Sequence, residues 1–313
     1  MHGCACSVDL DPVTRSDLFP LAWLVGQPSS LEMLPRRGTT SWMLHAMHRA
    51  SDLATVVTFG VPLVFSRSTT LTVAERVLDG AATVRVLQLQ QWSGSKVGSG
   101  GFLWDASRRL VRYMEAHGDG APRIAGDAGT AAVASRDLRG LKLLELGSGT
   151  GGMGLAAAVL GAEVTLTDQA SFVYPGGARR ERPTKTLLDL ARANVQENAA
   201  VLLEKAVPLP TVAKLLWGDA ADLAALPQAR YDIIAGADVL LFTDAHEGLL
   251  QTLRRVSSAS TVVLIEHTDR GGEQDEFPPD LRSFLELVRS EGRWKPTVVR
   301  DYGRHITLRM VYA

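Results

Sequence analysis

Cysteine is nearly absent: the 313-residue chain has two, Cys4 and Cys6. That excludes a disulfide framework and a four-ligand zinc site. No sign of charge dominates. With 33 basic and 34 acidic residues the net charge is −1, and the pI near 6.7 falls short of the values above about 9 typical of dedicated nucleic-acid binders. No run approaches the ~18 consecutive apolar residues of a membrane span. Residues 1–20 hold Asp9, Asp11 and Asp17 against Arg15 alone, which is not the basic-then-apolar form of a secretory signal. The arginine-bearing, acid-poor stretch from Pro35 to Ala74 starts too late for an organelle transit peptide. These absences predict a reduced, soluble, intracellular protein, cytoplasmic in the first instance and organellar in the second, with neither nucleic acid nor membrane as a direct partner.

What is abundant is glycine, 29 residues, and its distribution divides the chain. Upstream of about residue 80 the texture is irregular. Thr55–Phe59 reads as a strand, and Trp42–Met47 as an amphipathic helical turn or two. Val84–Gln91 alternates apolar and polar residues as a half-buried strand does. The glycines of 94–129 read as flexible, with Gly118–Ser135 as a surface insertion. Between these, Ala106–His117 is predicted to be a helix with Leu110, Val111 and Met114 on its apolar side.

From Leu141 the pattern sharpens. Leu141–Leu146 is a buried-type strand, broken by Gly147-Ser148-Gly149-Thr150-Gly151-Gly152. An apolar helix, Met153–Leu160, follows, then strand Glu163–Thr167 ending in Asp168. Strand, glycine loop, helix, strand, acid is a βαβ unit with parallel strands. Helix 185–202, strands 212–216 and 231–237, helix 245–257, strand 261–267 and helix 281–290 continue the alternation, and a hairpin of 297–301 and 305–311 closes it. The predicted fold is α/β, a doubly wound Rossmann-like sheet with an antiparallel last strand.

The backbone N–H groups of a glycine turn at a helix N-terminus approach a ligand closely. A carboxylate at Asp168, on the neighbouring strand's end, is placed to accept ribose hydroxyls. Two cofactors fit. Gly147, Gly149 and Gly152 match the dinucleotide fingerprint G-x-G-x-x-G. Glu145 with Gly147, Gly149 and Gly151 matches the E/D-x-G-x-G-x-G pattern of S-adenosylmethionine methyltransferases. Three features favour the second: the acid at Glu145 where the dinucleotide pattern has an apolar residue, the lack of a second glycine fingerprint or hydride-relay group, and the terminal hairpin.

Further segments make the likeness specific: Gly101-Phe102-Leu103-Trp104-Asp105-Ala106, Leu144-Glu145-Leu146-Gly147-Ser148-Gly149-Thr150-Gly151, Leu166-Thr167-Asp168, Asn194-Val195-Gln196-Glu197-Asn198, Leu216-Trp217-Gly218 and Gly236-Ala237-Asp238-Val239. Residues 84–313 resemble the seven-β-strand methyltransferase-like family, whose members include lysine methyltransferases acting on chaperones, translation elongation factors and a AAA ATPase. Residues 1–83 lie outside the likeness, as an N-terminal extension of unassigned role.

The resemblance implies S-adenosylmethionine as cofactor and a protein lysine side chain as acceptor. It implies Trp104, Glu145, Gly147, Ser148, Gly149, Gly151, Asp168, Trp217 and Ala237 around the cofactor: Glu145 at the methionine ammonium, Asp168 at the ribose, Trp217 beside the adenine. Asn194 and Asn198, four apart on a helix, read instead as structural polar anchors. Arg179, Arg180 and Arg182 form a solvated loop after Asp168 or contact an acidic partner. The family's Asp-x-x-Tyr/Phe element after the fourth strand implies Asp238 near the acceptor nitrogen. Here its aromatic position is Leu241, with Phe242 next, which leaves three readings: Phe242 substitutes through a local shift, the substrate differs, or methyl transfer is lost. The alternative to an enzyme is a retained methyltransferase fold serving as a structural subunit of a larger assembly, attached through residues 1–83.

Overall fold

The chain divides into two units, Met1–Leu63 and Val64–Ala313. The computed structural model describes residues 31–35, 42–46, 55–58, 65–76, 82–93, 98–117, 138–170, 186–204, 206–270, 277–300 and 304–313. Cys4, Cys6, the insertion expected at Gly118–Ser135 and the arginines 179, 180 and 182 lie outside the described residues.

In the first unit β1 (Leu31–Pro35), β2 (Trp42–Ala46) and β3 (Thr55–Thr58) form an antiparallel sheet in that order. The strand expected at Thr55 is present. The helical turn expected at Trp42–Met47 is not: β2 is the central strand, bonded along both edges, and inter-strand pairing outweighs a short apolar periodicity.

The second unit starts ahead of residue 84. β4 (Phe65–Arg76) pairs antiparallel with β5 (Ala82–Ser93) over its whole length. Leu71 and Val73 of β4 share a buried cluster with Leu87 and Leu89 of β5. α1 (Asp105–His117) adds Leu110, Val111 and Met114 to it.

The remaining strands make one sheet: β6 (Lys142–Leu146), β7 (Glu163–Asp168), β8 (Thr211–Lys214), β9 (Tyr231–Ala237), β10 (Ser257–Thr268), β11 (Trp294–Arg300) and β12 (His305–Tyr312). Their order is β11-β12-β10-β9-β6-β7-β8. β6 to β10 are mutually parallel, and β12 runs antiparallel between β10 and β11. Both faces are covered, so side chains alternate between two cores. Leu143, Ile233, Ala235, Val262 and Leu264 point to one, and Leu144, Leu146, Ile234, Val263 and Ile265 to the other. The predicted doubly wound seven-stranded sheet with an antiparallel last strand is the fold observed.

Between the strands lie α2 (Gly152–Val159), α3 (Leu187–Glu197), α4 (Ala199–Leu203), α5 (Ala220–Ala224), α6 (His246–Val256) and α7 (Pro279–Glu291). The single helix expected over 185–202 is two, interrupted at Asn198, whose φ of −102° and ψ of 8° leave the helical region. α3 starts with a capping box in which Thr186 and Asp189 each accept the other's backbone N–H.

From β6 the chain winds outward through β7 to β8, then returns to the other side of β6 for β9 and β10. The reversal between β6 and β9 is the switch point at whose carboxyl edge such sheets hold ligands.

Candidate active site

Glu145, in β6, faces Leu166 of β7 in the parallel register. Asp168, two residues beyond Leu166, shares its side of the sheet. Both acids therefore look toward α2. The Oε2 of Glu145 accepts the Gly154 N–H at 2.9 Å. That N–H belongs to the first turn of α2, so a strand carboxylate supplies the cap that Gly151, without a side chain, does not. A Cβ at Gly154 would strike Leu166 and Glu145 Oε2, which makes glycine a condition of this contact.

Asp168 accepts the Gly149 N–H at Oδ2 and the Gln169 N–H at Oδ1, both at 2.8 Å. Gly149 has a φ of +51°, and a Cβ there would also strike the Gly100 carbonyl oxygen. Gly98–Gly101 thus forms a short 3-10 turn lying against the glycine loop, not the flexible segment expected, because the loop's bare backbone gives its carbonyl a surface to rest on. The turn leads to Leu103, against Gly152, and to Trp104, partly buried, whose indole N–H donates to Ser99 O at 2.8 Å.

Burial pushes the Glu145 carboxyl up to about 8, partly offset by the Gly154 N–H and reinforced by Asp168. Burial likewise pushes Asp168 up to about 6, against its two backbone donors. Ser148 donates its backbone N–H to Thr167 O, while its buried hydroxyl has no hydrogen-bond partner.

Trp217, partly buried after β8, lies against Gly147. Val239 also faces Gly147, bringing the end of β9, with Ala237 as its last residue, beside the glycine loop. Asp238 follows at φ +56°, a strained setting for a residue with a side chain. Its N–H donates to Glu266 O. Its Oδ1 accepts the Thr268 N–H at 2.7 Å and its Oδ2 the Thr268 hydroxyl at 3.1 Å. Arg270 completes the shell, Nη2 to Oδ2 at 2.9 Å and Nη1 to Oδ1 at 3.3 Å. Beneath lies His267, fully buried, its Nε2 3.2 Å from Asp280 Oδ1 and its Nδ1 4.0 Å from Asp238 Oδ1. Burial lowers the imidazole's proton affinity despite both acids. Leu241 is half-buried, and Phe242 is exposed at the start of a 3-10 turn, Thr243–Ala245.

The structure therefore joins Glu145, Ser148, Gly149, Gly151 and Asp168 through hydrogen bonds of the glycine loop and its flanking acids. Gly147 opens the loop with Trp217 against it, and Trp104 is tied to it through the turn at Gly98–Gly101. Among the described residues no hydrogen bond or ion pair links Asp238 to Glu145 or Asp168. Sequence reasoning missed Thr268 and Arg270. The usable signal was topological: β9 and β10 are parallel neighbours, so the residues following each must meet.

Asn194 and Asn198 are structural. Asn194 bonds both backbone groups of Gln90 and also Thr150 O, and Asn198 both backbone groups of Gln88. Two side chains, one within α3 and one at the break that follows it, thus pair the outer edge of β5 as a strand would.

A seven-stranded sheet of this order, with a glycine cradle and acids on its first two strands, defines a Rossmann-like S-adenosylmethionine-dependent methyltransferase. The sequence profile of the lysine methyltransferase family matches residues 83–175 and 182–284. Protein N-lysine methyltransferase METTL21A of Danio rerio is 33% identical over 201 residues, 64% of this chain and 74% of that protein. EEF1A lysine methyltransferase 3 of Xenopus tropicalis is 28% identical over 205 residues, again 64% and 74%. A solved TehB-like methyltransferase from Corynebacterium glutamicum aligns with 69% of this chain and 91% of that one, at 18% identity and a TM-score of 0.40. The chain belongs to the lysine methyltransferase family. Membership favours the enzyme over the alternative of a purely structural subunit.

Proposed function

We propose that this chain transfers a methyl group from S-adenosylmethionine to the side-chain nitrogen of a lysine on a protein substrate. The observation that carries the reading is the pair of buried acids, Glu145 and Asp168, on one face of the sheet and either side of the glycine loop.

The residues fit this cofactor. Burial leaves both carboxylates short of compensation, which a ligand bringing an ammonium to Glu145 and hydroxyls to Asp168 would supply. The Ser148 hydroxyl awaits a polar partner. When bound, the cofactor contributes a methyl group already activated by a sulfonium. Trp104 and Trp217 would flank it, and the turn at Gly98–Gly101 would keep water from the loop.

The protein's remaining task is to align the nucleophile. A lysine nitrogen attacks only when neutral, and its free pKa is about 10.4. Asp238 would receive the lysine ammonium beside the glycine loop and take its proton, which leaves the nitrogen lone pair free for the methyl group as the sulfonium bond breaks. Val239, Leu241 and Phe242, following it in the chain, would surround the aliphatic stem and favour the neutral amine by desolvation. Phe242 would take the place of the aromatic that Leu241 does not provide.

The test is transfer of tritiated methyl from S-adenosylmethionine to proteins of a cell lysate, with acid hydrolysis to identify the labelled residue. Wild type should yield methyllysine. Asp238→Ala should lower the rate on the order of 100-fold while calorimetric cofactor affinity stays within about twofold. A folded wild type that binds the cofactor and labels nothing refutes the reading; equal labelling by the variant refutes the role of Asp238.

A further inference from the structure

The Asp238 carboxylate is 6% exposed and already holds a cation. Thr268 fills it from the β10 side with a backbone N–H and a hydroxyl. The guanidinium of Arg270 spans both oxygens and also donates to Thr268 O at 3.1 Å. Arg270 itself is 39% exposed, so it covers the acid from the solvent side, the direction from which an acceptor must come. The other titratable neighbour of Asp238 among the described residues, His267, is fully buried and has a low proton affinity because of that burial, so Arg270 is the cation seen to balance this carboxylate.

We propose that Arg270 is a specificity-determining residue: its guanidinium occupies the place on Asp238 that the acceptor lysine's head group must take, so that a lysine reaches the site only by displacing it. The inference rests on the reading that Asp238 receives the acceptor. A two-pronged pair on a sheltered carboxylate holds more firmly than an ordinary surface ion pair, so only a strong competitor exchanges one cation for the other. A lysine presented by a docked protein has a high effective concentration and displaces the arginine. A stray lysine, with nothing else holding it, does not. Arg270 thereby makes docking a condition of transfer, discriminating by an element that opposes the wrong partner.

The bland alternative is that Arg270 merely neutralises and steadies Asp238, and the two roles predict opposite signs. The probe is n-butylammonium, the lysine side chain alone, titrated into the full-length protein with the shift of the Asp238 carboxyl carbon as readout and Asp238→Asn as the blank. Competition predicts that Arg270→Gln binds the probe roughly fivefold or more tightly than wild type, because the occupied fraction no longer reduces apparent affinity. Arg270→Lys, which keeps the charge but loses the fork, should fall between the two. Equal or weaker binding by Arg270→Gln overturns the proposal.

A measurement on wild type alone covers the case in which the variant does not fold. Saturating n-butylammonium should release the Arg270 guanidinium, seen as faster rotation of its labelled nitrogens; an unchanged Arg270 signal overturns the proposal. The labelling assay keeps the two inferences apart. Absence of methyl transfer removes the lysine reading and, with it, the specificity role given to Arg270. Transfer by wild type, with probe affinity unaltered in Arg270→Gln, overturns this inference alone and leaves the lysine reading standing.

Discussion

Glu145 keeps a proton to about pH 8 and Asp168 to about pH 6, and both values have a thermodynamic sign. An unfolded chain releases these protons near pH 4, so between there and pH 8 the folded state binds more protons than the unfolded. Stability from this source is therefore full below the unfolded values and falls as pH rises through the folded ones. Thermal melts of the ligand-free protein, wild type beside Glu145→Gln, should show the variant gaining on wild type from pH 5 to pH 8; a constant difference would contradict the shift. Ligand binding has the opposite sense. If the cofactor's ammonium needs the charged carboxylate, affinity should rise with pH toward 8, with a proton released on binding that titrations in buffers of different ionisation enthalpy reveal. Glu145→Gln should weaken binding roughly 10- to 100-fold, the ~1.5–3 kcal/mol of a hydrogen bond to a charged group. At this scale sequence was a good guide to the acids and glycines, whose chemistry is written in their order. It was a poor guide to Arg270, whose meeting with Asp238 depends on the sheet.

Among elements, the meeting of α3 with β5 carries most information. Asn194 satisfies the N–H and C=O of Gln90 and the carbonyl of Thr150, while Asn198 does the same for Gln88. Asn194→Ala should leave three groups unpaired and cost about 2–4 kcal/mol, at ~1–3 kcal/mol per buried group before relaxation. Urea unfolding measures the loss, and exchange of the Gln90 amide locates it. Asn194→Asp should fare no better, since a carboxylate has no N–H for either carbonyl. The spacing identified the pair as anchors, but nothing in it named a strand edge as their target. The same region hid the break at Asn198, because apolar periodicity runs on through Ala199–Leu203 while the backbone turns aside. β2 misled for the converse reason: its few apolar residues suit either period, and strands on both sides decide the matter.

For the whole molecule, the least legible feature was β4, in which polar residues around Leu71 and Val73 conceal two core positions. Its strand character comes from β5, and it adds Leu71 and Val73 to the core beside α1. A chain beginning at Val64 should therefore melt as one cooperative unit. One beginning at residue 84 should lose these side chains at about 2–5 kcal/mol per large buried residue and show no cooperative transition by calorimetry. Equal melting of the two would assign β4 no structural part. The sheet order bears also on how the protein is made. β12 occupies a slot between β10 and β11, both of which are synthesised before it. At about 5–20 residues per second, a nascent chain carries an unfilled β10 edge for a few seconds, with the aggregation hazard such edges bring. The glycine cradle and its acids lie within residues 142–168, long since emerged. Thr268, which holds Asp238, is paired with His305, so its support arrives with the final strand. The half of the site that takes the cofactor is thus born early, and the half that takes the acceptor matures last.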